Sequence, residues 1–544
     1  KELIKLMYDL DEKGYNTFPV GFGMTTDAMN SSRYIIGVSQ SGLGLDPEYY
    51  TQPNEQQKAV VAAYKSLKND YLKMVGNAPA VAKKKMEEAF ALENRIAKVS
   101  YDQVKSRDPQ ANYHPMTWEQ LLKDYPGIDW NYILKIAGYP NNGGKVDVGQ
   151  PEPVHEVEKI LATAPLDQLK AYMELAVISS SAGMLSDAFS NRKFEYTKVA
   201  YGVQQQQPRW KRALSFVQGI MGEAVGKLYV QKYFPESSKE RMIQLVKNLQ
   251  SAFAQRIEEN TWMTAATKAK ALEKLQAFDI KIGYPDKWQN MDSVFVIDEA
   301  KSLLDNVKNV QEAASKYIIS KRWGKPVDKK LWHMTPQTVN AYYDPSTNSI
   351  NFPAAILQSP FFDPEVDDAA NYGAIGAVIG HEMSHGFDDQ GCQFDKEGNM
   401  KNWWTDEDKK NYDARTKVLV DWFNQQEVIP GLKVNGEKTL GENIGDNGGL
   451  NVAYRALENS MKQNPLTDKD GFTPSQRFFL AWGRVWASNV APQFVAYIVN
   501  SDVHSPNVSR VNAALPMIDS WYKAFDIKEG DKLFVPQEKR AHIW

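Results

Sequence analysis

The hydrophobic pattern of this chain changes about halfway along, and no other feature limits the possible folds as strongly. Throughout the first half, apolar residues recur mainly at three- and four-residue steps, the spacing of amphipathic helices. Gly76 and Pro79 interrupt the longest such stretch, residues 53–106, and predict two helices there. After Ile280 the apolar segments become shorter and turn residues become more frequent. The pattern predicts a mainly α-helical protein with a smaller α+β part.

The same pattern gives coarse bounds for the elements. Further helices are predicted over residues 156–190, 210–233, 238–278 and 367–386. Loops rich in Gly, Pro and Asn are predicted at residues 126–127 and 138–153, and two short strands at residues 339–343 and 349–352. The change in pattern divides the chain into two regions, residues 1–280 and 281–544.

The composition excludes several classes of protein. Of the 544 residues, 64 are Lys or Arg and 67 are Asp or Glu, so the formal net charge is -3. Nucleic-acid-binding domains are typically basic, and we therefore expect no nucleic-acid partner. No run of about 18 apolar residues occurs, so no membrane span is predicted. Cys392 is the only cysteine, so a hydrophobic core rather than an internal disulfide must stabilise the fold.

His381, Glu382 and His385 form an H-E-x-x-H motif at the end of an apolar stretch. On a helix, two histidines four residues apart project from the same face and can bind one metal ion. Glu382 can lie beside the open coordination position and take a proton from a metal-bound water. The chain has only seven histidines. Chance therefore produces the motif in about one in two hundred chains of this size. Two core histidines without a metal are the alternative interpretation.

A catalytic zinc usually has three protein ligands, so a third must come from elsewhere in the chain. Glu442 and Asp446, four residues apart, lie in a stretch rich in Gly and Asn, which disfavours a charged surface helix. If this stretch is helical, one carboxylate can bind the metal while the other accepts a hydrogen bond from a ligand histidine. Asp388, three residues after His385, either orients that histidine or is an acidic residue in the turn that ends the helix.

His504 and Arg510 are candidates for a different part of the chemistry. Amide cleavage passes through a tetrahedral oxyanion, and a donor aimed at that oxygen stabilises it. A histidine, held or supplemented by an arginine, can provide this donor. The alternative is that both are ordinary surface groups, as isolated His and Arg residues in loops usually are.

Resemblance to a known family extends over nearly the whole chain. The second half contains the motifs VNAYY, SPFF, GHEMSHGFDDQG, GENIGDNGGL and DVHSPNVSR, and it ends with Trp544. The first half contains GLGLDPEYY, a helical segment with Trp262 and Met263, and IGYPDKW. Together these motifs resemble the neprilysin-type zinc metallopeptidases (family M13), whose bacterial members include endopeptidase O.

The resemblance implies two lobes that enclose a large cavity, which would admit oligopeptides and exclude folded proteins. Residues 1–280 would form a helical cap lobe, and residues 281–544 a thermolysin-like (gluzincin) catalytic lobe. In the family, a segment with Gly-Gly-Trp and an Arg precedes the position of Lys1, and we expect such a segment to complete the catalytic lobe. By analogy we expect a monomer that a bacterium exports to the periplasm, the cell surface or the medium, with a cytoplasmic location left open.

The resemblance also implies a role for each residue of the site. His381, His385 and Glu442 would bind one Zn²⁺ per chain, and Glu382 would be the general base. Asp446 would be the carboxylate behind His381, which is sometimes described as a proton donor.

Substrate-binding residues are implied in the same way. His504 would stabilise the oxyanion, and Arg510 would lie near the substrate backbone. Asn340 and Ala341 would hydrogen-bond the substrate main chain at an edge strand. The other implied substrate-binding residues would form an apolar pocket for the residue after the cut bond: Ile356, Phe361, Val378, Val485 and Trp486. Ala377 stands where the family often has Met, so we expect a wide pocket that accepts a bulky aromatic or aliphatic side chain.

The predicted activity is zinc-dependent hydrolysis of oligopeptides on the amino side of bulky hydrophobic residues. A zinc-bound water, deprotonated by Glu382, would attack the amide, and no nucleophile motif indicates a covalent intermediate. One alternative is a non-catalytic peptide-binding protein of the same fold, which would not need a base beside the metal. The other is a zinc hydrolase that acts on lipids or small amides.

Overall fold

The computed structural model describes all 544 residues, which form two compact units. The first unit comprises residues 1–27, 32–208 and 289–327, and the second comprises residues 28–31, 209–288 and 328–544. The chain therefore crosses between the units more than once, whereas a boundary near residue 280 assumes a single crossing. Phe253 shows why residues 209–288 join the second unit, since it lies in the same hydrophobic core as Ile379.

Helices dominate the chain, in agreement with the predicted fold class. In chain order they are α1 (Glu2–Glu12), α2 (Pro47–Thr51), α3 (Glu55–Met74), α4 (Pro79–Ala97), α5 (Gln103–Arg107), α6 (Trp118–Asp124), α7 (Trp130–Ile136), α8 (Pro151–Thr163), α9 (Leu166–Ser181), α10 (Asp187–Tyr201), α11 (Arg209–Tyr233), α12 (Glu236–Glu259), α13 (Ala265–Gln276), α14 (Leu303–Arg322), α15 (Asp368–Asn371), α16 (Ala377–His385), α17 (Asp406–Phe423), α18 (Leu440–Gln463), α19 (Pro474–Val485), α20 (Pro492–Ser501), α21 (Asn507–Asn512) and α22 (Asp519–Phe525). The strands are β1 (Val20–Asp27), β2 (Asn30–Gln40), β3 (Pro115–Thr117), β4 (Lys145–Val148), β5 (Asp279–Gly283), β6 (Tyr342–Asp344), β7 (Ser349–Pro353), β8 (Glu427–Ile429) and β9 (Leu432–Lys433).

No helix is both long enough and apolar enough to span a membrane.

The first unit shows how local sequence signals fix helix ends. Asn54 caps α3 by accepting a hydrogen bond from the backbone N–H of Gln57, and the Gln57 side chain accepts one from the backbone N–H of Asn54. Gly76 adopts a φ of 98° after the helix ends, and Pro79 begins α4 at its first position. The two helices predicted for residues 53–106 are therefore present, with the break at the expected glycine and proline.

The predicted loop at residues 138–153 contains a strand that the sequence pattern did not indicate. Strand β4 pairs in parallel with β2, with Val146 opposite Ile36 and Val148 opposite Val38. All four of these side chains are buried. This strand has only four residues and lies between glycines and prolines, so its alternation of apolar and polar residues is too short to predict a strand. Only the pairing with β2 reveals it.

A three-stranded sheet and a group of helices form the second unit. The sheet order is β5-β7-β6, with β5 and β7 parallel and β6 and β7 antiparallel. The two predicted strands are present as β6 and β7, although β6 begins at Tyr342 and residues 339–341 lie outside it. Tyr342 lies opposite Asn351 in their register. Because β6 pairs with β7 alone, its other side is an edge of the sheet. The helix predicted over residues 367–386 is divided into α15, a π-helical turn at Tyr372–Gly376, and α16.

Candidate metal centre

Helix α16 carries the H-E-x-x-H motif and is buried almost completely. Every residue from Ala377 to Ser384 is buried, and the helix ends at His385. A helix that is apolar on all sides is typical of a protein core. The π-helical turn that precedes it is a distortion often found at functional sites. The two histidines and Glu382 therefore sit in the interior of the second unit.

Glycines allow α18 to cross α16 at very short distance. A Cβ atom on Gly445 would lie 2.7 Å from the ring of His381, and one on Gly449 would lie 2.5 Å from the carbonyl oxygen of Ala377. A Cβ atom on Gly380 would lie 2.9 Å from the Cα of Gly449. Any larger residue at these positions would push the helices apart. The glycines of the GENIGDNGGL motif thus bring the acidic residues of α18 to the histidines of α16.

Three side chains from the two helices meet at one point. Glu442 Oε2 lies 3.1 Å from His381 Nε2 and 3.6 Å from His385 Nε2. The two Nε2 atoms are 2.9 Å apart. These three residues form a group whose ligand atoms all lie within 4.8 Å of one another.

The opposite ring nitrogens of both histidines contact carboxylates. His381 Nδ1 lies 2.9 Å from Asp446 Oδ1, and His385 Nδ1 lies 2.7 Å from Asp388 Oδ2. Because a carboxylate accepts hydrogen bonds, we assign the proton of each ring to Nδ1. Both Nε2 atoms then carry lone pairs that face each other across 2.9 Å. This contact is therefore not a hydrogen bond, and the two nitrogens together could bind a metal ion.

The donor set fits a zinc ion. Glu442 Oε2 is buried and accepts no hydrogen bond, although three histidine rings surround it. Two imidazole nitrogens and one carboxylate oxygen are a common ligand set of catalytic zinc. Burial raises the pKa of Glu442, but His385 and His504, when protonated, outweigh burial and hold it well below its ordinary value. Glu442 is therefore ionised and suited to binding a cation.

Asp446 links His381 to Arg510. Arg510 donates from Nε to Asp446 Oδ2 at 2.9 Å and from Nη2 to Oδ1 at 2.7 Å, a bidentate pair. Burial raises the pKa of Asp446, but the Arg510 charge and the His381 hydrogen bond lower it below its ordinary value. The Arg510 guanidinium is buried and lies 3.8 Å from the centre of the Trp486 ring. Arg510, which the resemblance places near the substrate backbone, thus has a carboxylate partner within the protein.

A third histidine, His504, also lies close to Glu442. Its Nε2 lies 3.2 Å from Glu442 Oε2, and its Nδ1 lies 2.7 Å from Asp502 Oδ1. The ring is half exposed, unlike the rings of the other two histidines. Asp502 is not among the residues that the sequence patterns predict for the site, although its position two residues before His504 is a detectable signal.

Glu382 is buried and lies within the electrostatic field of the same group. Burial raises the pKa of Glu382 above its ordinary value. His381 and His385, when protonated, act in the opposite direction and reduce that rise. A carboxylate with a raised pKa is a stronger base than an exposed one, which suits proton transfer.

The residues proposed for substrate binding lie in several elements of the second unit. Asn340 and Ala341 immediately precede the edge strand β6, and Asn340 Oδ1 accepts a hydrogen bond from the Ala341 N–H at 2.9 Å. The five pocket candidates belong to one hydrophobic core or pack against it, with two of them buried and three half-buried: Ile356, Val378, Phe361, Val485 and Trp486. Ala377 is buried beside Gly449.

Comparison with known proteins gives a consistent result. The profiles of peptidase family M13 match residues 1–285 and 340–541. The neutral endopeptidase of Lactobacillus helveticus is 32% identical over 531 residues, which cover 98% of this chain and 80% of that protein.

Two solved structures have the same fold over the whole chain. The zinc metalloprotease Zmp1 of Mycobacterium tuberculosis, in complex with an inhibitor, superposes with a TM-score of 0.95 at 39% identity and covers 100% of this chain and 83% of its own. PepO from Lactobacillus rhamnosis superposes with a TM-score of 0.91 at 28% identity and covers 100% of this chain and 84% of its own. The chain therefore belongs to peptidase family M13, and it is a metalloendopeptidase of that family.

Proposed function

We propose that this chain binds one zinc ion through His381, His385 and Glu442 and cuts oligopeptides on the amino side of bulky hydrophobic residues. One observation carries the proposal: two imidazole Nε2 atoms and one carboxylate oxygen that accepts no hydrogen bond meet in the interior. A zinc ion bound there supplies the Lewis acidity that activates water and polarises the scissile carbonyl. The other steps are the work of the surrounding side chains.

Glu382 is the general base in this proposal. It takes the proton of the attacking water and passes it to the leaving amine, with no covalent bond to the enzyme. Its burial supports the role, because it raises the pKa of the carboxylate.

His504 stabilises the oxyanion that forms when the carbonyl is attacked. Asp502 engages Nδ1 of the ring, and Nε2 faces the group around Glu442. A donor fixed in advance at this point stabilises developing negative charge without reorganisation. Asp446, held by Arg510, keeps the proton of His381 on Nδ1 and leaves Nε2 free for the metal.

The substrate is an extended peptide that binds along β6. An edge strand can accept an extended peptide as an additional strand, and Asn340 and Ala341 lie at the start of this edge. Val378 lies four residues before Glu382, on the same face of α16, which supports an apolar pocket next to the base. The name of the Lactobacillus relative, neutral endopeptidase, supports peptide substrates. By the same analogy we propose a monomeric enzyme exported from a bacterium.

Substitution of the base tests the mechanism. We expect Glu382→Ala to retain zinc, as measured by metal analysis, while peptide cleavage falls by a factor of about 10³ or more. A chelator should abolish cleavage by the unaltered chain, and added zinc should restore it. Cleavage near the normal rate in Glu382→Ala would remove Glu382 as the base.

Digestion of a peptide library tests the specificity. The proposal predicts cuts before Phe, Leu and similar residues. Ala377→Met should narrow the pocket and shift the preference from the largest aromatic residues to smaller ones by about 10-fold. Random cleavage positions, or a preference set by residues before the cut, would contradict the proposed pocket.

A further inference from the structure

Lys274 is a cation in the core of the second unit that the proposed mechanism does not use. It lies on α13, and only 1% of its surface is exposed. Its ammonium group donates hydrogen bonds to the carbonyl oxygens of Gly386 (2.6 Å), Gly391 (2.7 Å) and Phe394 (2.7 Å). The rings of Tyr343, Phe387 and Trp403 lie 5.6 to 5.9 Å from it. Such a buried ammonium needs strong local compensation, and carbonyl dipoles together with aromatic faces provide it.

The three carbonyls belong to one segment, residues 386–394, which follows the metal-binding helix directly. It contains one short 3₁₀ turn and an isolated β-bridge between Phe394 and Met400, and no longer helix or strand runs through it. The segment carries Asp388, whose Oδ2 contacts His385 Nδ1 at 2.7 Å. The other oxygen, Oδ1, accepts hydrogen bonds from the backbone N–H groups of Gln390 and Gly391.

Gly391 connects the lysine to the carboxylate. Its N–H donates to Asp388 at 2.7 Å, and its carbonyl accepts from Lys274 at 2.7 Å. Gly386, the residue after His385, is held by the same ammonium. Lys274 therefore binds the segment on both sides of Asp388, at the two points that decide where this carboxylate lies.

We propose that Lys274 is a positioning residue of the metal centre, whose ammonium gathers the carbonyls of segment 386–394 and thereby fixes Asp388 against His385. The inference rests on the proposed zinc site. Its consequence is that Lys274 contributes to zinc affinity through Asp388, although it touches no ligand of the metal. A carboxylate in this position sets the tautomer and the basicity of the ligand histidine.

A neutral side chain in place of Lys274 would remove one donor from each of the three carbonyls. The Phe394 carbonyl would keep the hydrogen bond from Trp403 Nε1, and the Gly391 carbonyl would keep the one from the Phe394 N–H. Other contacts keep the segment in place in that case. Tyr412 donates from its hydroxyl to the Phe387 carbonyl at 2.9 Å, and Trp404 donates from Nε1 to the Cys392 carbonyl at 3.1 Å. The expected result is a folded protein in which Asp388 is less well fixed.

The test compares Lys274→Met, Asp388→Asn and the double variant in the full chain. The readout is the zinc dissociation constant, measured by competition with a chelator at fixed pH, together with thermal unfolding of the metal-free protein. We expect each single variant to weaken zinc binding by about 10- to 100-fold. The double variant should be little weaker than Asp388→Asn alone, because both changes act through one carboxylate.

Lys308→Met is the matched control. Lys308 is a buried lysine of the first unit that donates to the carbonyl of Gly14. Its replacement should lower stability and leave the zinc dissociation constant unchanged.

Two outcomes would overturn the proposal: an unchanged zinc dissociation constant in Lys274→Met, or multiplicative losses in the double variant. If Lys274→Met does not fold, Lys274→Gln, which keeps one donor group, takes its place. We again expect the double variant with Asp388→Asn to bind zinc little more weakly than Asp388→Asn alone. Because zinc affinity is read directly, failure of this inference is distinguishable from failure of the peptidase proposal, which rests on cleavage by Glu382 variants.

Discussion

Each unit of this protein buries a carboxylate within a polar cluster, and the two clusters differ in how the carboxylate is satisfied. In the first unit, Glu93 accepts hydrogen bonds from the hydroxyls of Tyr50 at 2.7 Å and Tyr64 at 2.9 Å. In the second unit, Glu442 faces three histidine rings, and its Oε2 accepts no hydrogen bond. Both side chains are largely buried, so burial alone does not distinguish a structural carboxylate from a metal ligand.

The direction of the pKa shift does distinguish them. Burial raises the pKa of Glu93, and the nearby charge of Lys68 reduces that rise without reversing it. For Glu442 burial acts in the same direction, but protonation of His385 and His504 reverses the shift. A carboxylate satisfied by neutral hydroxyls stabilises the fold, whereas one kept ionised beside imidazole lone pairs is suited to a cation.

Glu442→Gln should produce the largest effect, because it removes one of the three proposed metal ligands. We expect zinc binding to weaken by more than the roughly 100-fold typical of residues that only orient a ligand, and cleavage to be lost with it. Glu93→Gln is the matched control and should keep both zinc and activity. Equal loss of zinc in the two variants would remove the distinction between the clusters.

Asp446→Asn should have an intermediate effect on the metal. The amide cannot accept the full set of hydrogen bonds from His381 and Arg510, so we expect zinc affinity to fall by about 10- to 100-fold. Asp408→Asn is a control, since Asp408 is a buried carboxylate that accepts from Thr264, among other donors, and lies outside the metal centre. Titration of both variants with zinc should show a lower zinc affinity for Asp446→Asn and an unchanged affinity for Asp408→Asn.

Tyr64→Phe should affect stability and not function. The change removes one of the hydroxyls that bind Glu93 and leaves the carboxylate partly unsatisfied, which should lower the free energy of unfolding by about 1–3 kcal/mol. Denaturant unfolding measures the loss, and the zinc dissociation constant should be unchanged. A loss of zinc affinity in this variant would contradict a purely structural role for the Glu93 cluster.

The pH dependence of stability should show the smallest effect. The folded protein holds the pKa of Glu93 above the ordinary value of 4.5, so between these two values the folded state binds more protons than the unfolded state. The contribution of Glu93 to the free energy of unfolding therefore falls as the pH rises from about 4.5 through the raised pKa. Unfolding curves at several pH values measure this effect. The free energy of unfolding should fall less steeply with rising pH for Glu93→Gln than for the unaltered chain, and identical slopes would refute the raised pKa of Glu93.

Local signals were sufficient for several parts of the structure. The break between α3 and α4 follows from Gly76 and Pro79, and helix caps act over three or four residues. The face shared by His381 and His385 follows from the pitch of a helix. Strand β4 escaped prediction because its pairing partner, β2, lies more than a hundred residues earlier in the chain.

The spacing of the acidic residues also left open which of them contacts which histidine nitrogen, and the structure shows these contacts. Glu442 and Asp446 were equal candidates by spacing, and the structure places Glu442 at the Nε2 atoms and Asp446 at Nδ1 of His381. Asp388 was either an orienting carboxylate or a turn residue, and it contacts His385 Nδ1.

The sequence by itself determined the helical character of the chain and the two histidines on one helical face with Glu382 between them, because these depend on periodicity over a few residues. The tertiary structure alone decided which carboxylate meets which nitrogen and which buried cation holds the segment after α16. These contacts depend on how closely α16 and α18 approach at their glycines and on where α13 packs. Distances of that kind are set by packing between segments far apart in the chain, on which local pattern carries no information.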